Sequence, residues 1–530
     1  MFVRPRRSAP FLRVACVGTL LVAQGCVFIF RQADVAPVDP EAPPTTVRSP
    51  VKAHLADGST VLFPDGATFA GGTVSGRFSG SSDGVGTRYT VDARPSGPVR
   101  SVPLDSVVAM ETFPTRVRAT ESVLVSAVAT PLALLGVAAL SVAIFGSCPT
   151  VYADSAGALA LEAESFSNSI APLLEVRDVD RLAAQPGADG ALRLEVRNEA
   201  LETHYLNHLE LVEAAHRPDE TAVPAPLGGA YALSAAAAPT RATDRAGADV
   251  AAALAARDAA VYRTADPVLA AVTEGDPADW IELTFPAPAA DTAAVALRLR
   301  NSLFSTVYFY DYMLAQQGAA SLDWIHSGLA NVSAAIEMGD FYTRRMGLRV
   351  QVWDGAAWAE VGRVIEPGPI AWSDAAVVFP TPPGPTVRVR LHFVADAWRI
   401  DRVALAAART VPTRPVPLAG VEGVDGAADD AVRARLGGAD EDYHVTQPGD
   451  RLTAVFEPGP PGGAGDGART YFLAAQGYYI EWVRGEWLRA RVAGEPFRAD
   501  DATLVAALHR WRAVQGDYEA RFDATRIPVR

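Results

Sequence analysis

The sequence predicts a mainly β fold: a small N-terminal β module, one long apolar helix, a large β-sandwich region with helical inserts, and a C-terminal β plus helix module. Three observations predict it. Apolar residues alternate with polar or charged ones in several runs, among them 191–197, 295–300, 347–353 and 387–393, which places one face of each run in a core and one in water. Asp-Gly and Gly-Gly pairs at 57–58, 65–66, 71–72 and 354–355 separate short β-prone stretches, the pattern of tight hairpins. At 530 residues, with 49% hydrophobic and 20% charged residues, the chain is globular in composition and too long for a single hydrophobic core.

Taken in order, residues 1–26 come first. Arg4, Arg6, Arg7 and Arg13 precede or enter an apolar run that reaches Gly25-Cys26. This arrangement resembles a bacterial lipoprotein signal, which implies export and lipid attachment at Cys26. Ala23 and Gln24 depart from the usual residues before the cysteine. The stretch 12–30 carries one charge, Arg13, so an uncleaved signal anchor is the alternative. Either reading attaches the chain to a membrane.

Residues 27–50, rich in Pro and Ala, read as a tether. Residues 51–115 form the small β module. Within 121–147, the segment 123–145 has no charge and as a helix would be about 34 Å long, enough to span a bilayer of roughly 30 Å or to lie buried. Residues 148–409 are the β-sandwich region, interrupted by an Ala-rich helix at 248–262 and an aromatic-faced helix at 302–317. Residues 410–442, first Pro-rich and then acidic, read as a linker. In 443–530, strands near 451–456, 469–473 and 477–482 precede a helix in which Leu504, Leu508, Trp511, Tyr518 and Phe522 recur at helical spacing, so it should pack on those strands.

Two further resemblances follow from particular residues. The strands at 347–353, 358–364, 387–393 and 398–405, with the Asp354-Gly355 hairpin, are similar over about sixty residues to the last strands of a galactose-binding or discoidin-like jelly roll. Residues 148–495 resemble large uncharacterised bacterial envelope proteins, often lipoproteins. That resemblance is carried by Cys148 to Tyr152, Glu164 to Ile170, Glu175 to Asp178, Asn198-Glu199, His204-Tyr205 and Tyr471 to Tyr479. It implies an extracytoplasmic β-rich protein and no particular chemistry.

Charge and cysteine content exclude several classes. A net charge of -14 with no Arg cluster beyond the signal region argues against nucleic acid as a partner. Cys16, Cys26 and Cys148 are the only cysteines, too few for a disulfide framework or a Cys-based zinc site. No nucleophile elbow, phosphate loop or dinucleotide fingerprint occurs, and no cofactor is expected.

The residues left to consider are few. His204 and His208 lie four apart and would share a face of a regular helix or strand, as a divalent metal needs, but the interior of a metalloprotease motif is missing. The acidic tract 425–442 lacks the alternation of a calcium loop and reads as solvated. Among the aromatics, Trp353, Trp358, Tyr478 and Tyr479 are ligand-binding candidates, with core filling as the default for each. The expectation is therefore a membrane-attached envelope protein, non-enzymatic, that binds or scaffolds a glycan or another envelope protein. The alternative is an extracytoplasmic glycan hydrolase, for which two carboxyl groups should face each other across a cleft at roughly 5 to 9.5 Å.

Overall fold

The computed structural model describes residues 44–47, 51–55, 60–63, 66–77, 80–82, 89–91 and 99–112 and, apart from single positions and one short loop, 149–317, 338–481 and 500–525. Cys26 and the apolar segment 123–145 lie outside the described residues. No helix among those described is long and apolar enough to cross a membrane.

The N-terminal module is two small antiparallel sheets around a core of their own. Gly71 and Gly72 both adopt positive φ, 56° and 70°, and close the hairpin that pairs Ala70 with Thr73. Two left-handed residues in succession give a turn whose twist matches that of the flanking strands. Val51, Ala53, Val61, Phe63, Phe69 and Val74 fill the interior. Thr45–Val47 belongs to this module rather than to a tether, because it pairs with Ala67–Ala70.

From Thr150 onward the described strands build a nine-stranded antiparallel sheet and a ten-stranded sandwich. In the sandwich one sheet runs Thr221–Pro224, Ala230–Ala237, Trp398–Val411, Thr292–Asn301, Ser373–Pro380. The other runs Arg241–Asp244, Ala278–Pro286, Thr386–Val394, Leu348–Trp353, Trp358–Val364. Ile281, Leu283, Val295, Leu299, Val350, Val389, Leu391 and Ile400 are buried between them, as period-two alternation requires.

The sandwich is an insertion in the large sheet. Glu202–His216 leads into it and Thr413–Glu422 leaves it, and these two strands pair, Ala214 opposite Thr413. The remaining long strand, Ala468–Glu481, pairs with Glu202–His216 along its whole length. Residues 410–442 are consequently not a linker. They supply a sheet strand bonded on both edges and the helix Asp430–Leu436, whose N-cap Asp429 accepts from Val432 N at 2.9 Å. Nor is 443–530 a separate module, since Arg451–Phe456 and Ala468–Glu481 are internal strands of the same sheet.

The helical expectations divide. The Ala-rich stretch at 248–262 shortens to Ala251–Leu254, because Asp249 and Asp258 side chains bind the backbone N–H two residues on and favour turns. The aromatic segment is helical as expected, but as Leu303–Val307, the π-helical turns Tyr308–Leu314 and then Ala315–Gln317. The C-terminal helix Asp501–Thr525 packs on this segment and on Asp266–Ala270 rather than on the strands before it. Trp511 is its anchor, buried against Phe304 and donating to Asp396 Oδ2 at 2.6 Å.

Candidate functional site

A cleft opens where the large sheet, the sandwich and two π-helical segments converge. It is shallow, with a cavity volume of about 50 Å³, and is lined by Glu164, Ser167, Asn168, Asn301, Ser305, Thr306, Phe309, Tyr310, Tyr342, Gly368, Pro369 and Tyr479. Its aromatic wall comes from Tyr308–Leu314 and Phe341–Met346, which are joined by Tyr308 stacked on Phe341 at 5.6 Å. A π turn widens the helix by one residue, re-aiming its side chains, and such turns recur at functional sites.

The sandwich side of the cleft is fixed by backbone hydrogen bonds. Asn301 ends the strand Thr292–Asn301; its N–H donates to Gly368 O at 2.9 Å and its Oδ1 accepts from Gly368 N at 3.0 Å. The Asn301 side chain is buried, and Nδ2 has no hydrogen-bond partner among the described residues. Gly368 is at φ 110°, and a Cβ there would lie about 2.5 Å from the Glu164 carboxyl and Ser167 Oγ, so only glycine fits.

Glu164 is the one carboxylate among the described lining residues. Its Oε2 accepts from the N–H groups of Ile370 at 2.7 Å and Ala371 at 3.2 Å. Behind it stand Asp178 and Asp180 on Val176–Arg181. Burial raises the Asp178 carboxyl above its usual range, although it accepts from Phe166 N at 2.8 Å and Val179 N at 2.9 Å. Burial first, then the charges of Asp178 and Glu164, push Asp180 well above it. Neighbouring carboxyl groups thus disfavour ionisation of Asp180.

Below the cleft, Glu202 and Glu481 sit directly opposite each other on neighbouring strands, both buried. Like charges in that position repel, so each needs donors. Tyr310 O–H donates to Glu481 and stands 3.5 Å from Glu202 Oε1, while His204 Nε2 lies 3.0 Å from Glu202 Oε2. Tyr310 therefore ties the cleft wall to this pair.

The residues expected from sequence separate. Asn207 is the extra residue of a β-bulge: Leu206 pairs with Gly477 and His208 with Gln476. His204 faces Tyr479 and His208 faces Gln476, three residues apart, so the imidazoles occupy opposite sides of the sheet and cannot share a metal. No group of three or more metal-binding side chains occurs among the described residues. Tyr478 is core, stacked on Tyr205 at 4.5 Å. Tyr479 reaches the cleft, its O–H donating to Ser167 O at 2.9 Å. Trp353 and Trp358 are cross-strand partners on the outer face of the sandwich, half-buried and 5.4 Å apart.

Sequence reasoning missed Asn301, Tyr310, Tyr342, Gly368 and the Glu202–Glu481 pair. Tyr479 was a ligand-binding candidate, Glu164, Ser167 and Asn168 belonged to a segment that it singled out, and Ser305, Thr306, Phe309 and Tyr310 lay in the aromatic-faced helix that it read as packing on the sheet. A polar residue closing an alternating strand, as Asn301 does, was the one available signal.

No family model matches the chain, and no curated protein matches it. Among solved structures, an allantoicase is similar at 9% identity with a TM-score of 0.18, over 50% of this chain and 90% of that one. A GH31 alpha-xylosidase from Xanthomonas citri is similar at 12% identity with a TM-score of 0.14, over 84% of this chain and 38% of the xylosidase.

Proposed function

We propose that this is a membrane-attached envelope protein that binds a polyhydroxylated ligand, a glycan segment, in the cleft without cleaving it. The supporting observation is Asn301: its Oδ1 is spent on Gly368 while Nδ2, buried among the lining residues, has no partner among those described. An unpaired buried donor costs free energy that a ligand hydroxyl returns. Amide, hydroxyl and aromatic groups around it are the furniture of sugar recognition. The carboxyl at the cleft is engaged by two backbone donors, which suits holding a ligand better than moving a proton. Attachment rests on Cys26, as lipid acceptor or within a retained N-terminal anchor.

The test is binding of a panel of soluble oligosaccharides to the full chain and to Asn301→Asp, which keeps the acceptor for Gly368 and removes the donor. Affinity for the best ligand should fall about two- to tenfold, the worth of one neutral hydrogen bond. Unchanged affinity would sink the cleft assignment, and turnover of the bound sugar would establish the hydrolase instead. Intact-mass analysis of the membrane fraction reads the anchor: an acylated chain starting at Cys26 supports lipidation, and a retained Met1 supports the uncleaved segment.

A further inference from the structure

The outward face of the sandwich sheet containing Trp353 and Trp358 carries a row of alternating cations and indoles. On this face Trp280 lies opposite His392, which lies opposite Arg349; Glu282 lies opposite Arg390, which lies opposite Gln351. The inward neighbours Ile281, Leu283, Val389, Leu391 and Val350 are core, so the outward set is fixed by the pleat. Guanidinium carbons sit over the rings in sequence: Arg245 at 4.6 Å and Arg390 at 5.7 Å from Trp280, Arg390 at 4.4 Å and Arg388 at 5.2 Å from Trp358, and Arg388 at 5.0 Å from Trp353.

A ladder of this kind stabilises the sheet by itself, through cation–π attraction. Three observations go beyond that. The face is cationic in a chain of net charge -14: Arg349, Arg363, Arg388 and Arg390 stand against Glu282 and Glu360. Arg349 has no carboxylate within 4.0 Å among the described residues and donates instead to His392 Nδ1 at 2.6 Å; burial, Arg349 and Arg390 lower that imidazole to about 4, so it adds no charge and takes none away at neutral pH. Arg390 Nε and Gln351 Oε1 are buried without hydrogen-bond partners among the described residues.

We propose that this face binds a carboxylated polysaccharide, whose sugar rings lie on Trp353 and Trp358 while its carboxylates meet Arg349 and Arg388. Charge complementarity selects the occupant. In a chain of net negative charge, an acidic polymer is attracted to a face where guanidinium groups outnumber carboxylates, and planar guanidinium forks match carboxylate geometry. The half-buried rings are set within a regular sheet between arginines rather than projecting as apolar wedges, which suits an extended chain laid across strands better than a bilayer. The surface is independent of the cleft.

The probe is polygalacturonate, titrated into the full-length protein at low and at high salt, with dextran as the neutral control. Binding of polygalacturonate but not dextran is expected, weakening roughly tenfold as salt screens the contacts. The double variant Arg349→Glu, Arg388→Glu should weaken it at least about tenfold more, measured at a temperature where the variant, though less stable for loss of its cation–π contacts, is folded. Should that variant fail to fold, hydrogen exchange on the unaltered protein decides the matter, with protection by polygalacturonate expected in Leu348–Trp353, Trp358–Val364 and Thr386–Val394. Equal binding of dextran, protection elsewhere, or tighter binding to phosphatidylglycerol vesicles than to the polymer would each overturn the proposal.

Discussion

At the scale of single residues, the molecule stores unfavourable electrostatics next to its cleft. The Oδ2 of Asp180 is unpaired among the described residues, and burial, then the charges of Asp178 and Glu164, push its carboxyl well above the ordinary range. Its folded value exceeds its unfolded one, so its contribution to stability is complete below the unfolded value near 3.8 and is lost as pH rises through the folded value. Asp180→Asn should therefore raise the denaturation midpoint at pH 8 and change it little at pH 3. Urea unfolding at the two pH values measures this, and a variant equally affected at both would show that burial, not ionisation, sets the cost. None of this was readable from sequence, because Asp178 and Asp180 alternate with apolar residues as any exposed strand carboxylates do.

At the scale of elements, alternation was legible and partnership was not. Leu391 and Ile400, expected to point inward from two sandwich strands, are fully buried. Leu391→Ala or Ile400→Ala should cost about 2 to 5 kcal/mol in chemical denaturation, and a loss below about 1 kcal/mol would mean the two sheets close over the gap. The pattern that identified these strands could not reveal the bulge at Asn207, which moves His204 and His208 to opposite sides, because one extra residue leaves composition and spacing untouched. Pro415 and Pro417 similarly misled: they read as linker, yet they occupy Thr413–Glu422 opposite Val212 and Glu210. Aromatic density at 304–314 gave a helix correctly, but its π turns depend on tertiary packing that no local periodicity records.

At the scale of the whole molecule, the boundary that composition suggested near residue 442 cuts through a sheet. A chain ending at residue 442 loses Arg451–Phe456 and Ala468–Glu481, exposes one edge of Glu202–His216 along its whole length, and removes the helix that covers Phe304. Such a truncation should be insoluble or degraded during expression, with fractionation and limited proteolysis as the readout. A soluble, protease-resistant fragment would restore the two-module view. Mainly β architecture was legible because each strand carries its own pattern; the insertion was not, because pairing between distant strands leaves no mark on either one.

That insertion also sets a timetable. His216 pairs with Ala468 and Glu202 with Glu481, so Glu202–His216 is synthesised about 250 residues before the strand that completes it. At roughly 5 to 20 residues per second the wait is on the order of 12 to 50 s. Until Thr413–Glu422 emerges the long strand has no mate, and its other edge waits for Ala468–Glu481, while the sandwich, whose strands all lie between the two halves, can close first. Closure of the large sheet is thus the last step and needs nearly the full length of the chain: a chain that stops early carries a complete sandwich on a sheet with an open edge.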